Sequence, residues 1–108
     1  MSKASELTNE ILNYLYQNRV FAWRQSSTGI YDPRKGHFRT SPKKGVSDIL
    51  AVLPPDGKLL AIEVKIGKDK MSEEQVGFHK NIILMGGEIF IAKDFGSFKN
   101  WFENLSTD

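Results

Sequence analysis

Cysteine is missing from the chain altogether. That excludes a disulfide scaffold, a zinc–thiolate site, an iron–sulfur cluster and a cysteine nucleophile. Long hydrophobic runs are missing too. The longest purely apolar stretch is Ile49 to Leu53, far short of a membrane span or a signal-peptide core, so the chain reads as cytosolic. Histidine is scarce: His37 and His79 stand far apart in sequence, and neither is needed as a metal ligand. An excess of one charge is also lacking. Lys plus Arg number 15 against 13 Asp plus Glu, a formal net charge of +2 that says little about partners. Internal repeats, low-complexity tracts and linkers are absent.

What remains is an ordinary globular composition. The 108 residues are 40% hydrophobic and 26% charged, which suits one domain over residues 1–108 and disfavours a disordered tail. A domain of this size buries roughly two thirds of its unfolded surface.

Periodicity predicts the elements. Leu7, Ile11, Tyr14 and Leu15 recur at helical spacing, giving an amphipathic helix from Ser5 to Gln17. Val20 to Trp23 reads as a short strand. Gln25 to Lys44 is polar and punctuated by Gly29, Pro33, Gly36 and Pro42, with Ile30-Tyr31 and His37-Phe38-Arg39 able to pair as a small hairpin. Asp48 to Leu53 and Leu59 to Ile66 are β-rich runs around the turn signal Pro54-Pro55-Asp56-Gly57-Lys58. Both are apolar at nearly every position, so other elements should cover both faces. Ser72 with Gln75 fits a capping box that opens a helix, Glu73 and Glu74 suit its positive end, and Gly86-Gly87 ends it. Glu88 to Lys93 is a strand, and a last helix from Asp94 or Ser97 carries Phe98, Trp101, Phe102 and Leu105. The order α-β-(β-hairpin)-β-β-α-β-α predicts an α/β domain, a mixed β-sheet flanked by helices.

Charge becomes informative through its distribution. Arg34, Lys35, Arg39, Lys43 and Lys44 form a run without an acidic residue. It is either a solvated loop or a surface that contacts phosphates. Lys68 and Lys70 can extend that surface, diluted by Asp69. His37 lies in the basic loop, while His79 reads as a helix-surface residue. Trp23, Trp101, Phe98 and Phe102 read as core; Tyr31 and Phe38, flanked by charge, are the better stacking candidates.

The hairpin brings three charged groups together. With Pro54 and Leu59 flanking a four-residue turn, Asp48 lies opposite Lys65 and Leu50 opposite Glu63. Opposed residues share a face, as do residues two apart, so Asp48, Glu63 and Lys65 converge on one side of the sheet. A single register step would separate Asp48 from the others. Charges at the ends of apolar strands are costly unless compensated. One compensation is an Asp48–Lys65 salt bridge with Glu63 at the sheet edge. The other is a hard divalent cation, Mg2+ or Mn2+, between the carboxylates, with the lysine acting on water or phosphate.

Gly45-Val46-Ser47-Asp48-Ile49-Leu50, Leu60-Ala61-Ile62-Glu63-Val64-Lys65, Ser72-Glu73-Glu74-Gln75 and Gly86-Gly87, in this order and spacing, resemble the VRR-NUC domain (virus-type replication–repair nuclease) of the PD-(D/E)xK superfamily. Phe21-Ala22-Trp23-Arg24 followed by Ser27-Thr28-Gly29 looks similar to that family's first strand and loop. The likeness runs from the first helix to about Lys93. It implies a restriction-endonuclease-like core in which Asp48, Glu63 and the Val64 backbone carbonyl hold Mg2+ or Mn2+. Lys65 becomes the catalytic lysine and Gln75 a supporting active-site residue. The superfamily usually adds a glutamate from the first helix, yet Ala4 falls near that position. Glu10, closer to the apolar stripe, is the preferred candidate and Glu6 the alternative; either can equally be a solvated helix charge.

By the same resemblance the expected activity is metal-dependent hydrolysis of DNA phosphodiesters. It would act on Holliday junctions or other branched duplexes during replication, recombination or repair, with two copies as a homodimer and no membrane partner. The setting would be a bacterial or virus-infected host cytoplasm. Alternatives are a nucleic-acid-binding module in which the charged triad is a structural ion cluster, and a restriction-type nuclease that cuts a defined sequence.

Overall fold

The computed structural model describes residues 2–25, 30–32, 37–39 and 45–105, and for residues 30–32 and 37–39 only the backbone. In chain order the elements are α1 (Lys3–Gln17), β1 (Phe21–Arg24), β2 (Ile30–Asp32), β3 (His37–Arg39), β4 (Ile49–Leu53), β5 (Lys58–Val64), α2 (Glu73–Leu84), β6 (Glu88–Ala92) and α3 (Phe95–Glu103). This is the predicted α/β order. Four strands form one mixed sheet in the order β1-β4-β5-β6, and β2 pairs with β3 in a separate ribbon. The first three strands of the large sheet run antiparallel, and β6 lies parallel to β5. A parallel neighbour needs a crossover, which α2 provides.

Local chemistry sets the boundaries. Helix α1 starts earlier than Ser5 because Ser2 caps it, its hydroxyl accepting from the Ser5 N–H at 3.1 Å. In α3 the cap is Asp94, whose carboxylate accepts from the Ser97 N–H at 2.7 Å. Helix α2 has the full capping box: the Ser72 hydroxyl accepts from the Gln75 N–H at 3.1 Å, and the Gln75 carbonyl oxygen accepts from the Ser72 N–H at 2.9 Å.

The β4–β5 register differs from the one expected. Leu53 pairs with Lys58, Leu50 with Ala61 and Ile49 with Ile62. Leu50 therefore does not face Glu63, and Asp48, one residue beyond the ladder, stands across from Glu63 rather than Lys65. The turn is the cause. Gly57 takes a left-handed φ of +80° and donates its N–H to the Leu53 carbonyl at 2.9 Å, closing the turn at Leu53. The shift preserves the alternation, so Asp48, Glu63 and Lys65 still share a face.

Alternation divides the sheet. One face carries Ala22, Ile49, Ala51, Leu60, Ile62, Val64 and Ala92, packed with Leu7, Ile11, Leu12 and Leu15 of α1 and Phe98 of α3. Tyr14 meets Phe95 and Phe102 edge-on at 5.5 Å, tying α1 to α3. Phe90 stacks against Trp101 at 4.7 Å. The other face holds Glu63 and Lys65 beneath α2. Its cover is incomplete: Phe21 is 71% exposed, and Trp23, expected in the core, lies outside it with its ring 5.4 Å from that of Phe21. Trp23 pairs with Leu50 while its neighbour Ala22 pairs with the buried Ala51, which turns Trp23 away from the core. Among the described residues no helix is long and apolar enough to cross a membrane.

Candidate active site

Gly45 makes the site possible. It adopts φ +79°, and a methyl group there would overlap the Glu74 carbonyl in the first turn of α2. Only glycine lets the strand-leading segment lie so close to that helix. The contact brings Ser47 and Asp48, just ahead of β4, under the helix that carries Gln75 and His79.

Glu63 is the centre. It stands on β5, an interior strand and not the sheet edge, and is 1% exposed. Its Oε1 accepts from the Gln75 amide at 2.8 Å, and the Lys65 ammonium lies 3.8 Å from the same oxygen. Its Oε2 is buried with no hydrogen-bond partner among the described residues. The ion pair is therefore Lys65–Glu63 and not Asp48–Lys65. Asp48 is held differently: its Oδ2 accepts the Val64 N–H at 2.8 Å, and its backbone carbonyl accepts the Gln25 N–H at 2.7 Å. Burial, then the neighbouring Asp48 charge, raises the Glu63 pKa from 4.5 to about 7, while Lys65 pulls it down.

Gln75 unites two roles that the sequence left as alternatives. Its backbone N–H and its side-chain oxygen complete the cap, and its amide nitrogen secures Glu63.

His79 corrects the surface reading. It is 4% exposed, faces the sheet, and its Nε2 lies 2.7 Å from the hydroxyl of the fully buried Ser47. Burial lowers its pKa. Neither residue figured among the expected site residues. The spacing carried a signal: His79 follows Gln75 by one helical turn and so shares its face. Hydrophobic patterning hid it, because α2 places Ile83 and Leu84 outward, 53% and 77% exposed.

The remaining candidates do not join this cluster. Glu6 and Glu10 are exposed, and among the described residues no group of three or more His, Cys, Asp or Glu could hold a metal. At the site end of α1 it is Ser5 whose hydroxyl accepts from the Arg24 guanidinium at 3.4 Å. Lys68 and Lys70 are exposed on the segment after β5. Arg34, Lys35, Lys43 and Lys44 lie outside the described residues, as do the side chains of Tyr31, His37, Phe38 and Arg39.

A solved structure described as a VRR_NUC domain superimposes on this chain with a TM-score of 0.71. The match covers 98% of this chain and 100% of the other at 19% sequence identity. The fold is that of a VRR-NUC domain. No protein-family profile matches the sequence, and no curated protein matches it. The VRR-NUC likeness therefore rests on architecture, and the chemistry must be argued from the side chains themselves.

The donor set suits the divalent cation expected from the sequence. A buried carboxylate oxygen without a partner, a second carboxylate that raises the first one's pKa, and hard oxygen donors throughout are what Mg2+ or Mn2+ requires. Asp48 and Glu63 would supply side-chain oxygens to such an ion. Val64, whose carbonyl is the expected third ligand, sits between Glu63 and Lys65 with its N–H tied to Asp48.

Proposed function

We propose that this chain is an Mg2+- or Mn2+-dependent endonuclease that hydrolyses DNA phosphodiesters, with branched duplexes such as four-way junctions as substrate. One observation carries the reading: Asp48, Glu63 and Lys65 share one sheet face, where Glu63 is buried and keeps an oxygen without a partner. A bound divalent cation supplies positive charge that acidifies water and offsets charge building on the phosphate. The protein's own groups do the rest. Asp48 and Glu63 provide the anionic oxygens, and the Val64 N–H and the Gln75 amide hold them in place before substrate arrives. Lys65, held beside Glu63 with its side chain 14% exposed, directs its ammonium protons toward a water or a phosphate oxygen.

Substrate contacts follow from charge and from the uncovered sheet face. Lys68 and Lys70 border the site end of β5, and the basic run of Arg34, Lys35, Arg39, Lys43 and Lys44 adds phosphate contacts that position DNA without reading bases. Glu10, or Glu6 in its place, would join the site only through a movement of α1. One such site cuts one strand, so paired cuts need two copies. The apolar outer side of α2, with Val76, Ile83, Leu84 and Met85 exposed, supports a homodimer. The setting proposed with that substrate is replication, recombination or repair in the cytoplasm.

The test is cleavage of a labelled four-way junction with and without Mn2+, beside linear duplex. Paired nicks that require Mn2+ are expected. A gel shift without cleavage at any metal concentration would leave a binding module, and cutting of linear duplex at one fixed sequence would make it a restriction-type enzyme.

A further inference from the structure

We infer that Phe21 and Trp23 form a stacking platform for an unpaired base of the DNA substrate, a few nucleotides from the phosphate to be cut. The inference rests on DNA being the substrate of the proposed site. Alternation puts both rings on the sheet face that carries Asp48, Glu63 and Lys65. Trp23 pairs with Leu50, and Leu50 with Ala61, two residues before Glu63. Two strand spacings and two residue steps set the backbones of Trp23 and Glu63 about 12 Å apart, a span that a few nucleotides cover.

Two aromatic rings stand open on that face. Phe21 is 71% exposed, and Leu50 and Val52 beside the pair on β4 are only half-buried. The rings lie 5.4 Å apart and inclined at 47°, so neither seals the face of the other. The Trp23 ring is also held in place. Its Nε1–H donates to the Gln25 side-chain oxygen at 3.2 Å, and the Gln25 N–H donates to the Asp48 carbonyl at 2.7 Å. The indole is thus oriented from the residue that leads the carboxylate cluster, and a surface held ready loses little entropy on binding.

Charge selects the occupant. Arg19 and Arg24, both exposed, bracket the pair, and no acidic residue occurs from Ile11 to Tyr31. Arginine beside an aromatic ring matches a nucleotide, because guanidinium meets phosphate while ring meets base. An apolar protein partner would find more to bury on the outer side of α2, where Ile83, Leu84 and Met85 are exposed together. Inside a duplex the faces of a base are covered by its neighbours. The platform therefore takes bases that are already unpaired, as at a branch point or a single-stranded end.

The test uses the full chain in a chelating buffer, with an oligothymidylate and a blunt, fully paired duplex as probes. Phe21→Leu and Trp23→Leu are each expected to weaken oligothymidylate binding about 10-fold and duplex binding by less than about twofold. Trp23→Phe, which keeps a ring, is expected to bind within about twofold of the parent. Tryptophan fluorescence should fall as oligothymidylate binds the parent and stay unchanged in Trp23→Phe, whose remaining Trp101 packs against the core. Unchanged oligothymidylate affinity in either leucine variant, equal losses on both probes, or a parent that binds neither probe would overturn the proposal. So would a lower unfolding temperature or altered oligomeric state in Phe21→Leu with DNA affinity intact, which would assign the pair to another segment of this chain or to a second copy. Junction cleavage by a parent that fails these tests overturns the platform alone. The expected shifts in a parent that cuts no DNA keep the platform and overturn the endonuclease reading.

Discussion

Ile62 and Glu63 are neighbours on β5, both fully or almost fully buried, yet they enter different environments. Ile62 joins an apolar layer against α1 and α3, where Ile11, Leu15, Ile49, Leu60 and Phe98 are sealed from water. Glu63 enters the layer beneath α2, whose buried groups include Ser47 and His79. The inner side of α2 presents Gln75, Phe78, His79 and Ile82, so half of that stripe is polar, while Val76, Ile83 and Leu84 point outward. One face of the sheet holds the fold together; the other sacrifices apolar contact for an arranged set of oxygens. Substitutions on the first face should therefore alter stability, and those on the second should alter chemistry.

The largest effect tests the second half of that contrast. Asp48→Ala and Glu63→Ala are each expected to lower Mn2+-dependent cleavage at least about a thousandfold. DNA binding should survive or tighten, because two negative charges no longer oppose the phosphate. Single-turnover cleavage beside a gel shift measures both. Normal turnover in Asp48→Ala would end the assignment of this face as catalytic.

The first half is tested next door. Ile62→Ala is expected to destabilise the fold by about 2–5 kcal/mol, through lost burial and the cavity left in a closely packed layer. Urea unfolding gives the value, and the fraction that remains folded should keep its metal affinity. A loss of Mn2+ binding without a loss of stability would show that the two faces are not separable.

Glu63 also carries a pH signature. Its folded pKa of about 7 lies above the 4.5 of the unfolded chain, so the folded protein binds the proton more tightly. Stability from this group is fully present below about pH 4.5 and is lost as pH rises through about 7. The loss is at most about 3 kcal/mol. Thermal unfolding in a chelating buffer should show it as a difference between the parent and Glu63→Gln that grows over that range. Added Mn2+ should reverse the trend in the parent only. A difference that does not vary with pH would mean that Glu63 is not strained by its surroundings.

Much of this contrast was legible from residue order. Strand alternation placed Asp48, Glu63 and Lys65 together, and it did so despite an incorrect register, because the turn shift moved the pairing by an even step. The cap of α2 was legible because Ser72 and Gln75 satisfy a local rule. What escaped has a common cause. Residue type alone points Trp23 to the core and His79 to the surface, whereas their positions are set by partners distant in sequence: Leu50 across the sheet, and Ser47, 32 positions away in the chain. The helix glutamate was inferred from resemblance, yet the exposed sides of α1 carry Glu6 and Glu10 because Leu7, Thr8, Ile11, Leu12 and Leu15 occupy the buried stripe.

The smallest expected effect separates two roles that meet in one residue. Ser72→Ala removes the hydroxyl that accepts the Gln75 N–H, which should reduce stability by about 1 kcal/mol. It leaves the Ser72 backbone N–H, which still donates to the Gln75 side-chain oxygen and keeps the amide turned toward Glu63. Cleavage should consequently change less than about threefold, since a carboxylate held by the same donor presents the same charge. Gln75→Ala removes the cap partner and the Glu63 donor together, and should lower stability and cleavage in one step. If Ser72→Ala proved as damaging to cleavage as Gln75→Ala, the hydroxyl rather than the backbone would be what aims Gln75, and the helix cap itself would belong to the catalytic face.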